Sequence, residues 1–191
     1  MGPSIAIVST TNGQILRRLN GTQGKPINSI AASPDGKTLY FAWSHVIWAI
    51  PASDGEPRKL ATGDGVAPSP DGQYLIIQIN DKDGTRLAKL AASGGEPQPI
   101  RLDLGRFQLW GSPLSPNAVG PDGRIIHAVD SPDSWFETTA VIDPRTGRVD
   151  KIPTTFSGDV HGAGWTKDGR IIATGLPTQS SLWRFRPAGQ Q

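Results

Sequence analysis

The chain has no cysteine, one methionine and only three histidines in 191 residues. The absence of cysteine excludes disulfide bonds, thiolate metal sites and thiol nucleophiles. His45, His127 and His161 form no short-range pair with metal-ligand spacing. No Gly-x-Ser-x-Gly segment provides the strained turn of a hydrolase nucleophile. We therefore expect a non-catalytic protein with no bound metal and no cofactor.

Long apolar runs are also missing, and no stretch approaches the roughly 20 apolar residues of a membrane-spanning helix. The first residues lack the basic start and apolar run of a signal peptide. The net charge is only +2, and the basic residues are scattered without a run of five or six. We therefore expect neither membrane insertion nor nucleic-acid binding. No window has a sustained apolar period of 3.6 residues, so essentially no helix is predicted.

Glycine and proline are abundant instead, with 23 and 17 residues, which indicates many tight turns between short strands. One turn sequence recurs. Ser33-Pro34-Asp35-Gly36 reappears unchanged at 69–72 and in weaker form at 120–123 and 166–169. The intervals between these copies bracket the roughly 40–45 residues of a four-stranded propeller blade. In each copy, proline presets the first corner, aspartate bonds to nearby backbone N–H groups, and glycine takes the position with positive φ.

The repeat predicts an all-β propeller of four-stranded antiparallel blades, with strands a, b, c and d in each blade and the Pro-Asp-Gly turn between a and b. About four blades are expected, as units at approximately 27–62, 65–100, 106–152 and 158–186, after an N-terminal hairpin at 4–19. That hairpin resembles strands c and d, and one of its strands could close the last blade. Alternatively, the chain is the C-terminal part of a larger ring, which we favour because it begins in mid-blade.

These residues resemble the WD-repeat-like β-propeller family of the bacterial TolB type. The resemblance rests on a blade-start motif, an Ile-Trp-type strand c and a Gly-Glu-Pro turn, at Trp165–Gly169, Ile47-Trp48, Leu182-Trp183, Asp54–Pro57 and Gly94–Pro97. It covers 27–100 strongly and 101–160 weakly. It implies a ring of six blades and favours an extracytoplasmic location. All the matched residues are structural, so the resemblance implies a scaffold and no chemistry, with Trp48, Trp165 and Trp183 packed in the core.

The loops predict where a partner would bind. Turns a–b and c–d are short and uniform, whereas the b–c and d–a connections vary in length, notably at 80–85, 102–119 and 130–138. Because function concentrates in variable loops on a rigid scaffold, we expect this second face to bind a protein or peptide. The candidate residues on it are aromatic or titratable: Trp43, His45, Trp110, Trp135, Phe136 and His161. Trp43 and Trp110 could instead pack between blades.

The predicted function is therefore a non-catalytic binding or sensor propeller, within a larger bacterial protein. The alternative is a propeller enzyme, such as a metal-dependent or lactonase-like hydrolase, or the gating propeller of a serine peptidase. Open blades would also expose unpaired strand edges, which predicts self-association.

Overall fold

The computed structural model describes residues 2–179 and Ser181. The N-terminal hairpin consists of β1 (Ala6–Val8) and β2 (Ile15–Arg18), followed by a 3₁₀ turn at Asn20–Thr22. Blade 1 contains β3 (Ser29–Ala32), β4 (Thr38–Trp43), β5 (Val46–Pro51) and β6 (Arg58–Thr62). Blade 2 contains β7 (Gly65–Pro68), β8 (Tyr74–Asp81), β9 (Gly84–Ala91) and β10 (Gln98–Pro99). Blade 3 contains β11 (Gln108–Leu109), β12 (Ile125–Asp130), β13 (Thr138–Ile142) and β14 (Val149–Lys151). A last pair, β15 (Gly158–Trp165) and β16 (Ile171–Pro177), forms a two-stranded sheet.

Each blade is an antiparallel meander in which consecutive strands are hydrogen-bonded neighbours. The predicted all-β architecture of four-stranded blades is confirmed. No α-helix occurs in the part of the chain that the structure describes, and no helix there is long and apolar enough to cross a membrane. The predicted strand c of the fourth unit, with Leu182 and Trp183, lies outside the described residues.

The Pro-Asp-Gly turns owe their regularity to the side chains that flank them. In the first turn, Ser33 Oγ donates to Asp35 Oδ1 (2.6 Å) and accepts from the backbone N–H of Thr38 (2.9 Å). The Asp35 carboxylate also accepts from the N–H of Lys37 (3.1 Å), and Gly36 takes a φ of +69°. The second turn repeats these bonds from Ser69 and Asp71. Hydrogen bonds from the serine hydroxyl and the backbone lower the pKa of both carboxyl groups.

Apolar side chains from adjacent blades pack together in the core. One cluster joins blades 1 and 2 through buried residues such as Ile47, Val66 and Ile77. A larger cluster joins blade 2, blade 3 and β15 through residues such as Leu87, Ile126 and Trp165. Blade-to-blade packing therefore continues through the described residues without a break.

The N-terminal hairpin packs on blade 1. Ile5 and Leu19 join Leu39, Phe41 and Ile50 in a third buried cluster. The hairpin forms no sheet with β15 and β16 in the described part of the chain, so the two half-blades are separate there.

Blade 3 departs from the regular pattern because its strand a is divided. Gln108 and Leu109 pair with the far end of β12, whereas Val119 pairs with Ile125 at its near end. Residues 110–117 leave the strand between these two points. Leu114 in this excursion is buried, and Asn117 O accepts from the backbone N–H of Trp165 in β15 (2.8 Å). The excursion is thus bonded to the next sheet.

Candidate functional site

The b–c and d–a connections lie at one end of the blades, which we term the loop face. The a–b and c–d turns lie at the opposite end, the turn face. The predicted binding residues all lie at or near the loop face, in connections or in the adjoining strand residues: Trp43, His45, Trp110, Trp135, Phe136 and His161. Their surroundings differ: Trp135 is fully exposed, whereas Phe136 is half-buried and its backbone N–H donates to Ser134 Oγ (3.1 Å).

Trp43 has a packing role. It is half-buried at the end of β4 and belongs to the cluster between the hairpin and blade 1. The ring centroid of Trp43 lies 6.0 Å from that of Trp48, and Lys25 Nζ lies 5.1 Å from the Trp43 ring centroid. Such aromatic and cation–π contacts stabilise a fixed position.

His45 connects blades 1 and 2. It occupies the two-residue b–c turn of blade 1, in which Ser44 and His45 have φ values of +51° and +59°. Its Nδ1 lies 2.6 Å from Asp64 Oδ1, while Asp64 Oδ2 accepts from the backbone N–H of Asn80 (2.8 Å). The imidazole is largely exposed, but its partner fixes the turn against the β8–β9 hairpin.

Trp110 lies at the junction of blades 2 and 3. The carbonyl of the next residue, Gly111, accepts from Gln78 Nε2 and from Asn80 Nδ2, both at 3.2 Å. The Trp110 backbone N–H donates to Ala128 O (3.0 Å). These bonds hold the backbone, while the indole remains 39% exposed.

The b–c connection of blade 3, residues 131–137, presents Trp135. Its side chain is fully exposed, at 101% relative accessibility. The loop is nevertheless anchored: Asp133 accepts from Ser131 Oγ and from Arg106 Nη2, the latter at 2.8 Å. At its end, the Glu137 N–H donates to Asp159 Oδ1 (2.9 Å). An exposed indole on a fixed loop is the most conspicuous surface feature of this face.

Glu137 and His161 attach this loop to β15. Glu137 Oε2 lies 2.9 Å from His161 Nδ1, which is an ion-pair distance without hydrogen-bond geometry. Burial raises the pKa of Glu137, and the negative charges of Asp159 and Asp130 raise it further, whereas His161 opposes the shift. His161 thus acts as an anchor for the loop.

His127, by contrast, is buried within blade 3. Its Nδ1 donates to Ala128 O (2.7 Å), its Nε2 lies 3.4 Å from Gln78 Oε1, and burial lowers its pKa. The three histidines therefore have three different sets of neighbours. Among residues 2–179 and Ser181, no group of three or more His, Asp or Glu side chains is arranged to hold a metal ion.

The turn face contains a groove that the sequence does not predict. A cavity of about 440 Å³ opens between the Pro-Asp-Gly turns, lined by Pro34, Pro70 and Pro121 together with Trp165. The short turns predict a uniform surface, but the prolines and the buried Trp165 leave a depression between them.

Comparison with known proteins places this architecture among β-propellers. No protein-family model matches the chain, and no curated protein matches it. Solved structures do. The chain is similar to TolB from Acinetobacter baumannii, with a TM-score of 0.70, 17% identity, and coverage of 93% of this chain and 44% of that chain. A TolB-type protein from Agrobacterium tumefaciens gives a TM-score of 0.64 and 19% identity over 85% of this chain and 57% of that chain.

An enzyme is also among the similar structures. A puromycin hydrolase in complex with PGG gives a TM-score of 0.60 and 16% identity, over 84% of this chain and 27% of that chain. At these identities the similarity shows the fold alone, which is a partial β-propeller of the kind seen in TolB. The chain spans about half the length of the TolB structures that it matches.

Proposed function

We propose that the chain is a protein- or peptide-binding segment of a β-propeller and presents its loop face to the partner. The observation that carries the proposal is the fully exposed Trp135 on an anchored loop. Tryptophan is prominent among the residues that dominate interface energies. A loop that is already fixed by Arg106 and Asp159 loses little conformational freedom on binding.

The remaining predicted residues support this face in different ways. Trp110 contributes a second, partly exposed indole at the junction of blades 2 and 3. His45 and His161 hold the connections around it through carboxylate partners. In this proposal, Trp135 and Trp110 contact the partner, Phe136 supports the loop, and Trp43 belongs to the scaffold.

A pull-down with the whole chain as bait tests the proposal. The baits are the wild type, Trp135→Ala, and a variant in which an Asn-Gly turn replaces residues 131–137. Leu16→Ala is the matched control, because Leu16 is a 63% exposed apolar residue outside the loop face. We expect both loop changes to reduce partner retention about tenfold or more, as for an interface hot spot, and Leu16→Ala to have no effect. Retention unaffected by both loop changes would contradict the proposal.

A second candidate function is that of a propeller in an enzyme, and the similarity to puromycin hydrolase favours it. A metal-dependent hydrolase would copurify with stoichiometric calcium or zinc, which elemental analysis measures. The gating propeller of a serine peptidase would instead occur in the same protein as a catalytic domain. Sequencing the complete gene tests that reading.

A further inference from the structure

The dipeptide Asn-Gly occurs at two places in the chain, Asn12-Gly13 and Asn20-Gly21. Asparagine is among the thermolabile residues of proteins. Its side-chain amide is lost most easily before glycine, because glycine has no side chain to shield its backbone nitrogen and adopts many backbone conformations. Both sites have the same local chemistry, so a difference between them comes from the fold.

Asn12 lies at the tip of the β1–β2 hairpin, where residues 10–18 are all exposed. Its Oδ1 accepts from the backbone N–H of Gln14 (3.0 Å), which holds the side-chain carbonyl beside the following peptide unit and polarises it. No acceptor holds its amide nitrogen in the part of the chain that the structure describes. A Cβ at Gly13 would meet no atom within 4 Å. The Asn12 amide and the Gly13 backbone therefore have open space around them.

One hydrogen bond opposes reaction at this tip, since the Gly13 N–H donates to Ser9 O (2.9 Å) in the closed turn. The two strands of the hairpin are only three and four residues long and form a sheet of their own. Such hairpins are marginally stable, and exposed loops open at little cost in free energy. The packing on blade 1 lies at the other end of the hairpin, at Ile5 and Leu19. The bond to Ser9 can therefore open without disturbing the core.

Asn20 is held much more firmly. It begins the 3₁₀ turn, and its backbone N–H and Nδ2 donate to the two carboxylate oxygens of Asp54, both at 3.0 Å. Its carbonyl accepts from the N–H of Gln23 (3.1 Å). A Cβ at Gly21 would lie 2.6 Å from Pro57 Cδ, so the backbone here has little room to rearrange. Cyclisation at Asn20 would have to break the bonds to Asp54 and displace packed backbone.

We propose that Asn12 is a site of spontaneous deamidation and that the fold protects Asn20 from the same reaction. The Gly13 backbone nitrogen loses its proton to a solvent base and attacks Asn12 Cγ. A new N–Cγ bond forms, and the side-chain nitrogen takes up a proton and leaves as ammonia. Water then adds to one of the two carbonyl carbons of the cyclic imide and reopens the ring, to aspartate at the side-chain carbonyl or to isoaspartate at the backbone carbonyl. Water is the only co-reactant, and no oxidant or reductant is required.

The isoaspartyl product changes the tip of the hairpin in two ways. Its backbone runs through the former side chain, so the turn between β1 and β2 gains one carbon atom. It also has a carboxylate in place of the neutral amide. Enzymes that methylate isoaspartyl carboxylates with S-adenosylmethionine are the class of modifying partner that fits this product. The site is independent of Trp135 and of the loop face.

Incubation of the whole chain in mildly alkaline buffer, followed at intervals by peptide mapping with mass spectrometry, tests the proposal. Methylation by an isoaspartate methyltransferase with labelled S-adenosylmethionine identifies the isoaspartyl product. In the folded chain, we expect Asn12 to deamidate about tenfold or more faster than Asn20. The matched control is the same chain in guanidinium chloride, where the two rates should agree within about twofold because both asparagines precede glycine.

A variant tests the protection of Asn20 separately. Asp54→Gly removes the carboxylate that holds Asn20, and glycine adopts the φ of +91° at this position without strain. We expect the Asn20 rate to rise at least about threefold in this variant and the Asn12 rate to stay unchanged. An unchanged Asn20 rate in the folded variant would refute the protection by Asp54.

Two outcomes would overturn the proposal. One is that Asn12 stays intact in the folded chain while both asparagines react in guanidinium chloride, since the closed turn would then protect it. The other is that Asn12 and Asn20 react at equal rates in the folded chain, since the fold would then not distinguish them. Both comparisons use the unaltered sequence, so the proposal is tested even if Asp54→Gly fails to fold.

Discussion

Leu114 tests whether the excursion at 110–117 is part of the core or a free loop. Its side chain is only 4% exposed and lies in the cluster that joins blade 2, blade 3 and β15. Leu114→Ala removes buried carbon atoms and leaves a cavity, which costs about 2–5 kcal/mol for buried leucines. The backbone of the excursion already lies close to blade 2, since a Cβ added to Gly65 would be only 3.0 Å from the Leu114 backbone nitrogen. The backbone therefore has little room to move in and fill the cavity. The loss is a large part of the roughly 5–15 kcal/mol that stabilises a typical domain.

The assay is equilibrium unfolding in urea, followed by tryptophan fluorescence and far-ultraviolet circular dichroism. Coincidence of the two transitions justifies a single free energy of unfolding, which a multi-blade chain does not guarantee. Leu16→Ala is the control, and its change should stay within about 0.5 kcal/mol because that side chain is exposed. If Leu114→Ala lowers the free energy of unfolding no more than Leu16→Ala does, the excursion does not belong to the core. The description of strand a of blade 3 as divided would then be wrong.

Three further predictions concern turns and titration. Ser69→Ala should lower the free energy of unfolding by about 1 kcal/mol, because Ser69 Oγ donates to the Asp71 carboxylate and accepts from the Tyr74 N–H. In the same variant, NMR titration should show the pKa of Asp71 moving up towards 3.8. Gly147→Ala should destabilise the protein clearly more than Gly13→Ala in thermal unfolding. Both glycines have positive φ, but a Cβ at 147 would lie 2.5 Å from a backbone oxygen, whereas the site at 13 is open. Equal losses of stability in the two variants would contradict this prediction. Burial lowers the pKa of His127 below 6.5. The free energy of unfolding should therefore not depend on His127 above pH 6.5, and should fall by up to about 1.4 kcal/mol per pH unit below it. His127→Gln should remove that slope in urea unfolding, and an unchanged slope would refute the assignment.

The blades could be predicted from the sequence because their signals are local. The Pro-Asp-Gly turn satisfies its own backbone groups through residues at most five positions apart, as in Ser33 and Thr38. A pattern of that range is visible in the sequence wherever it recurs. The position of the loop face follows directly from the order of strands and turns.

The site depends on longer-range contacts that no local pattern records. His45 contacts Asp64, 19 positions away, and Arg106 contacts Asp133, 27 positions away, only when the blades and loops pack together. Only Gln108 and Leu109 pair with β12 before the excursion at 110–117 begins. Too few strand residues remain on either side of the excursion to show an alternating pattern in the sequence. The turn-face groove likewise arises from several separate turns meeting in space.

Site-specific photocrosslinking most directly tests the claim that the loop face binds a partner. A photoreactive benzoylphenylalanine replaces Trp135 in one version of the chain and Leu16 in another, and both are expressed in the organism that encodes the chain. Both positions are exposed, so a photoreactive side chain at either of them can reach a partner. We predict a discrete crosslinked protein from position 135 and none from position 16. The same products from both positions, or products from position 16 alone, would contradict the account.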